Sequence, residues 1–274
     1  MTQKDQETWL RHFVHTNFGI LLSEEKVFSV ASQMQVEAFK SGCNSVPEYF
    51  SKNHEESSTH LIDLVNSITV NFSYFYRGEE QMLFLREVFA PDWLKAVRGR
   101  HPREGDLRVW SAGCATGEEP YSVAMILDNF IGLGLTDLRV KLLGTDLSRM
   151  ALAEAQAGIY RTEALKDLPL TLRERYFQSL SEVKVQVVER LKQAILFRTL
   201  NLMNDIYPFK NQFDLILCRN VMIYFDEKTN MKVLNNLTRF LNKGGYLLLG
   251  QSDPHPKAHA GLESVEPGIY RKVA

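Results

Sequence analysis

Two textures of apolar and polar positions divide the chain. Up to residue 70 the apolar residues recur at helical spacing. Trp9, Phe13, Phe18, Ile20 and Leu21 come first, then Ser23-Glu24-Glu25-Lys26, a good helix start. Val27, Val30, Met34 and Phe39 follow at intervals of three to five, and Gly42 ends that run. Val46-Pro47-Glu48-Tyr49-Phe50 begins another helix, and His60–Ser67 carries Leu61, Leu64 and Val65. This pattern predicts a small all-α domain over residues 1–70. From Leu107 onward the apolar runs read as strands: Leu107–Ser111, Arg139–Gly144, Ala194–Phe197, Phe213–Cys218 and Tyr246–Gly250. Helical stretches lie between them, at Tyr121–Phe130, Met150–Ala157 and Lys228–Leu241. Such alternation predicts an α/β fold, an open and mostly parallel doubly wound sheet over residues 107–274. Leu262–Val265 and Ile269–Lys272 flank Pro267-Gly268 and predict an antiparallel hairpin at its end. Residues 71–106 join the two parts, with a helix around Glu79–Phe89. No internal repeat is present.

Composition adds exclusions. The chain holds 32 basic and 33 acidic side chains and has a net charge of −1, which disfavours a nucleic-acid-binding role. No stretch has about 18 uncharged apolar residues, so no membrane span is expected. The N-terminus carries Asp5 and Glu7 with no apolar run, so no secretory signal is expected. Cys43, Cys114 and Cys218 are odd in number and far apart, which fits reduced thiols in a cytoplasm and no metal site. Residues 1–70 hold five Lys/Arg against nine Asp/Glu. The sign reverses between Lys95 and Arg108, where Arg98, Arg100 and Arg103 also fall. That run reads first as a solvated linker and second as a patch for an acidic partner.

The segment Arg108-Val-Trp-Ser-Ala-Gly-Cys-Ala-Thr-Gly-Glu-Glu-Pro-Tyr121 runs from a buried strand through a glycine turn into a helix. Ligands of open α/β sheets sit at such carboxyl ends of strands. The GxGxxG fingerprint is not matched, and no Lys-Ser/Thr follows Gly117 as in a P-loop. Glu118 and Glu119 occupy the helix start, which otherwise favours anions. Ordinary helix stabilisation accounts for one such acid. Two acids beside an open loop suit a cationic nucleoside such as S-adenosylmethionine better than a dinucleotide. Leu142-Leu-Gly-Thr-Asp146 is a second strand that ends on an acid, 33 positions after Gly113. Asp146 can accept ribose hydroxyls, cap the following helix, or do both.

These residues resemble the CheR-type chemoreceptor glutamate methyltransferases. The resemblance rests on Trp110–Ser122, Gly144-Thr-Asp-Leu-Ser148, Phe213–Asp226 with its Cys-Arg-Asn-Val-Met-Ile-Tyr-Phe core, Gly244–Gly250 and Tyr270-Arg-Lys272, and covers nearly the whole chain. It implies a class I, Rossmann-like S-adenosylmethionine domain behind the helical domain, with a small β-subdomain inserted at about 178–198. It implies methyl transfer to glutamate side chains in the cytoplasmic domains of bacterial chemoreceptors, with S-adenosylhomocysteine as product. By resemblance the cofactor contacts fall on Asn71, Ser73 and Arg77, on Ala112, Gly113 and Glu118, and on Asp146 as the ribose acid. Asn201 and Leu202 fall beside the adenine, Arg219 and Asn220 at the far wall, and Tyr224 at the reacting centre.

Three departures from the family pattern alter the expectations. Val70 stands for Thr, Ser73 for Thr and Tyr76 for Phe in the Thr-Asn-x-Thr-x-Phe-Phe-Arg motif, but the polar atoms survive. The helix Glu24–Lys40 has Lys26 and Lys40 against Glu24, Glu25 and Glu37, where receptor docking in the family is associated with a basic helix. Gln178-Ser-Leu-Ser-Glu182 lacks the glycine-rich loop of members that grip a receptor's C-terminal pentapeptide, so a pentapeptide-independent member is expected.

A glutamate acceptor is ionised near neutral pH, since its ordinary pKa is about 4.3, so no general base is required. The catalytic expectation is therefore alignment. Arg77 directs the acceptor carboxylate, the Tyr224 hydroxyl positions acceptor or donor, and Arg219 partly holds the wall. An aromatic anchor is the structural alternative for Tyr224. The rival functions are a methyltransferase with another protein or small-molecule acceptor, a cofactor-binding signalling module without turnover, and an NAD-dependent oxidoreductase. A cytoplasmic monomer is expected.

Overall fold

In the computed structural model, residues 1–52, 59–97, 106–132, 140–256 and 261–273 are described. Local capping sets the first helices. Thr2 and Asp5 form a reciprocal capping box at the start of α1 (Gln3–Phe18), and left-handed Gly19 closes it. Ser23 caps α2 (Glu24–Lys40), and Ser45 with Pro47 starts α3 (Val46–Ser51). With α4 (Thr59–Ile68) these helices enclose their own core, which includes Leu10, Val14, Val30, Met34, Tyr49 and Leu64. A following strap without regular structure leads to α5 (Glu79–Phe84), which continues through a wider π turn at Leu85–Phe89 into α6 (Ala90–Val97).

The larger part is a seven-stranded sheet. Its strands are β1 (Leu107–Ala112), β2 (Val140–Asp146), β6 (Ile195–Thr199), β7 (Phe213–Cys218), β8 (Leu241–Leu249), β9 (Leu262–Glu266) and β10 (Ile269–Lys272). The order is β6-β2-β1-β7-β8-β10-β9. The first five are parallel, and the β9–β10 hairpin is antiparallel at one edge. Strands β1 and β7 are buried at all but one position each, which is why they read as continuous apolar runs. Helices α7 (Glu118–Ile131), α8 (Arg149–Ala157) and α11 (Glu227–Arg239) connect the parallel strands. Two apolar clusters fill the two sides of the sheet, and Trp110, wholly buried, donates its indole N–H to Thr145 Oγ1 at 2.8 Å.

The inserted subdomain has different bounds from the expected 178–198. It is a three-stranded antiparallel sheet of β3 (Ile159–Arg161), β4 (Phe177–Ser181) and β5 (Lys184–Val187), in the order β3-β5-β4. It begins upstream because β3 pairs with β5, and α9 (Leu170–Tyr176) lies inside it. Residues 195–199 leave it, since β6 pairs with β2 in the main sheet. A short helix, α10 (Glu189–Ala194), links the two sheets. Strand β8 also starts earlier than Tyr246, at Leu241. Of the basic run, Arg98, Arg100 and Arg103 lie outside the described residues.

Among the described residues no helix is long and apolar enough to cross a membrane. Among them, too, no group of three or more His, Cys, Asp or Glu side chains is placed to hold a metal ion. All three cysteines are free and buried.

Candidate active site

Strand order places the site. The chain runs from β1 outward to β2 and β6, then returns to the other side of β1 as β7, and this reversal opens a crevice at the carboxyl ends of β1 and β7. A cleft of about 980 Å³, counted out to its mouth, fills that crevice. Its floor is the turn after β1 and the segment after β7. Its side is Asp146 at the end of β2, with Leu200–Leu202 after β6. Its roof is the helical part, through Phe18, Ile20, Ile68 and the strap at residues 69–73.

The two parts are stitched together around this cleft. Ile20 bridges Phe225, and Leu21 N–H donates to Tyr224 O at 2.8 Å. Asn201 Nδ2 donates to Asn17 O at 2.8 Å, and Ser148 Oγ to Asn66 Oδ1 at 2.9 Å. His15 Nε2 meets Asp226 Oδ2 at 2.8 Å. Asp226 also caps α11, and that bond from Thr229 N–H is the main reason its carboxyl sits at about 2.

Ten of the residues singled out from sequence line this one cleft: Asn71, Ser73, Arg77, Gly113, Asp146, Asn201, Leu202, Arg219, Asn220 and Tyr224. Two do not. Ala112 is wholly buried inside β1, behind the turn. Glu118 lies under the loop, where its carboxylate accepts from Thr116 Oγ1 at 2.7 Å and bonds Ser73, and burial pushes its pKa up. Glu119 lines the cleft in its place. Successive helix residues point about 100° apart, so only one of two adjacent acids faces a given ligand. Glu119 is itself committed, to Ser111 Oγ at 2.7 Å and to Arg219 Nη1 at 3.1 Å. The acidic lining is therefore thinner than the two-carboxylate loop suggested.

Asp146 keeps the place that its strand end predicts. Its Oδ2 accepts from Ala115 N–H at 2.8 Å and its Oδ1 from Ser148 N–H at 2.9 Å. Burial raises its pKa against the pull of these bonds. Ser148, not Asp146, supplies the side-chain cap of α8, by accepting from Ala151 N–H. Carboxylate oxygens each have two lone pairs, so Asp146 retains capacity for two hydroxyls.

The two lining arginines differ. Arg219 is buried, pairs with Glu119, and donates through Nη2 to Arg77 O at 2.6 Å, while its Nε has no partner among the described residues. Arg77 is half-exposed and lies over the rings of Phe72 (5.8 Å) and Tyr74 (5.5 Å), with one N–H to Phe72 O at 3.2 Å. No ion pair engages it among the described residues, so of the two lining arginines its charge is the unpaired one. Tyr224 is half-buried, and its backbone carries the contact to the helical part.

The loops have an unusual backbone. Three non-glycine residues among those described have positive φ: Tyr76 (58°), Ala115 (46°) and Asn220 (59°). Each strained residue costs of order 1–3 kcal/mol and persists only where its surroundings enforce it. All three lie in segments that build the cleft. Two glycines meet the same demand by size. Gly113 has φ +77° and a Cβ there would collide with Val221 Cγ2, while at Gly117 a Cβ would press on Ala155 at 2.8 Å.

Sequence reasoning missed two side chains that hold these loops. Ser122 Oγ, wholly buried, accepts from Tyr76 N–H at 2.9 Å. Asp253, also buried, accepts from the N–H groups of Asn220, Gly250 (2.8 Å) and Ile223 (3.2 Å). Asp253 follows the carboxyl end of β8, so the strand-end rule that found Asp146 could have found it. Ser122 gives no such signal.

The family described as CheR methyltransferase, SAM binding domain, matches residues 71–268. The chain is 38% identical over 272 residues to a chemotaxis protein methyltransferase of Borreliella burgdorferi, covering 98% of this chain and 94% of that one. It is 34% identical over 247 residues to a probable chemotaxis protein methyltransferase of Rhizobium etli, covering 88% and 89%. It is 33% identical over 250 residues to the chemotaxis protein methyltransferase of Escherichia coli, covering 89% and 82%.

Proposed function

The chain belongs to the CheR methyltransferase family, and on that premise we propose that it transfers the methyl group of S-adenosylmethionine to glutamate carboxylates of bacterial chemoreceptors, forming glutamyl methyl esters. The observation that carries this reading is one cleft lined both by Asp146 and by the Arg77–Tyr224 pair. The first suits a ribose, and the second suits a carboxylate next to a reacting centre.

The cleft fits the cofactor. Its lining joins an acid at a strand end, a glycine turn and apolar side chains in one cleft. Asp146 has lone pairs for the two ribose hydroxyls. Asn201 and Leu202 line the side of the cleft assigned to the adenine, and the Asn201 amide is fixed there by Asn17 O and Met203 N–H. When bound, S-adenosylmethionine supplies an electrophilic methyl on a sulfonium.

The chain's own residues then align and shield. Arg77 draws the acceptor carboxylate to the mouth, where its guanidinium is partly wet and its grip stays modest. That modesty matters. An anion and a cation become a neutral ester and a neutral thioether, so a tight ion pair with the acceptor would stabilise the ground state more than the transition state. The acceptor oxygen bonds the methyl carbon while the electron pair of the broken carbon–sulfur bond stays on sulfur. Tyr224, held from behind by Leu21, sets the angle of approach. Phe18, Ile20 and Ile68 keep water from that line.

We assign docking to receptors without a C-terminal pentapeptide grip. The β4–β5 connection is Glu182-Val183, with no glycine. The face of α2 offers exposed Phe28, Val36 and Phe39 instead of a row of cations. We place the reaction in the cytoplasm, on a monomer whose working units are residues 1–70, 71–106 and 107–274.

Labelled-methyl transfer tests the proposal. Membranes carrying a chemoreceptor from the same genome, incubated with the chain and methyl-labelled S-adenosylmethionine, are expected to gain label on the receptor that mild base releases as methanol. Base-stable label, or label confined to other acceptors, contradicts it.

A further inference from the structure

The three left-handed residues of the cleft share one arrangement. In each, the strained residue's own N–H is held by a buried or half-buried oxygen from a different element. Ala115 N–H goes to Asp146 Oδ2, Tyr76 N–H to Ser122 Oγ and Asn220 N–H to Asp253 Oδ2. The clamps reach across 31, 46 and 33 residues of sequence. One clamp, Asp146, is itself a lining residue, whereas Ser122 and Asp253 are not.

We propose that Ser122 and Asp253 are positioning residues, which shape the cofactor cleft by forcing Tyr76 and Asn220 into left-handed backbone. Their effect on the ligand passes through the residues they hold. Tyr76 precedes Arg77, and the Ser122 hydroxyl that fixes it donates in turn to Glu118 O at 2.7 Å. The strap is thus tied to the first turn of α7. Asn220 follows Arg219 and begins the turn that ends at Tyr224. Asp253 grips that turn at both Asn220 and Ile223, and grips its own strand end at Gly250. A carboxylate that accepts several N–H groups is a strong clamp, because each bond is charge-assisted. Without it, Asn220 is free to return to the right-handed region that any non-glycine residue prefers, which swings its side chain away from the cleft.

A strain clamp differs from a general structural bond in one testable respect. Glycine adopts left-handed backbone without penalty, so it removes the need for the clamp. The experiment is a double-mutant cycle read by calorimetric affinity for S-adenosylhomocysteine. This readout needs no acceptor, so its failure is separable from a failure of the chemoreceptor reading. D253A is expected to weaken binding at least tenfold in the natural background, with the far-ultraviolet spectrum unchanged. Compared with N220G alone, the double variant N220G/D253A is expected to weaken it less than threefold. An equal loss in both backgrounds, or no loss in the natural one, overturns the proposal. Should D253A fail to fold, D253N keeps the shape and one acceptor oxygen. It is expected to weaken binding about fivefold, and unchanged affinity overturns the proposal in that arm. S122A is expected to weaken binding about threefold and to lower turnover further, through Arg77. Unchanged affinity and turnover remove Ser122 from the clamp set.

Discussion

Asp146→Ala is expected to weaken S-adenosylhomocysteine binding at least 100-fold while the chain stays folded. Two losses combine. The ribose hydroxyls lose a charged acceptor, and hydrogen bonds to charged groups contribute roughly 1.5–3 kcal/mol each. Since about 2.7 kcal/mol is a hundredfold in affinity, two such bonds suffice even after water replaces part of them. The second loss is internal. Ala115 sits at φ 46°, and its N–H relies on Asp146 Oδ2. Removing that oxygen frees the glycine turn, so the cleft loses shape as well as a contact. Asp146→Asn is expected to do nearly as badly, because one amide end donates where both backbone N–H groups need an acceptor. Calorimetry on both variants checks this. Affinity within threefold of the natural chain would remove Asp146 from the site.

The second large effect is expected at Arg77. Arg77→Ala should lower turnover at saturating cofactor roughly 100-fold, with a loss of affinity for S-adenosylhomocysteine of about tenfold or less. The asymmetry follows from its setting. Arg219 is buried and its charge is already paired with Glu119, whereas no ion pair engages Arg77 among the described residues. Arg77 stands half-exposed over two aromatic rings, a site that orients a guanidinium without neutralising it. Arg77→Lys should recover only part of the turnover, because an ammonium lacks the planar fork that fits a carboxylate. Steady-state methylation at saturating cofactor, beside calorimetry, reads the two effects apart. Unchanged turnover would deny Arg77 any part in handling the acceptor.

How far these features can be read from sequence depends on what holds them. Strands β1 and β7 were legible because they are buried at all but one position each and spell nearly continuous apolar runs, and β2 from its short Leu142-Leu143 run and the acid at its end. The edge hairpin was legible from Pro267-Gly268. The insertion was not bounded correctly, since β3 has only three residues and exposes two of them. Such a strand owes its place to β5 and not to its own pattern. Strand β6 has one exposed residue between two buried ones at Ile195–Phe197, and only its pairing with β2 assigns it to the main sheet.

The site divides in the same way. Gly113, Asp146, Arg219, Asn220 and Tyr224 belong to motifs that end strands, and strand ends converge by topology. The choice between Glu118 and Glu119 depended on helix rotation, which no local pattern fixes. Ser122 and Asp253 act on backbone N–H groups far away in the chain, and a backbone partner leaves no trace in side-chain identity.

The cleft is built for an S-adenosyl ligand. The most direct test is calorimetric titration of the unmodified chain with S-adenosylhomocysteine, run alone and after saturation with NAD. One tight site, unchanged by NAD, is the result the structure predicts. A bound dinucleotide that S-adenosylhomocysteine cannot displace would contradict it.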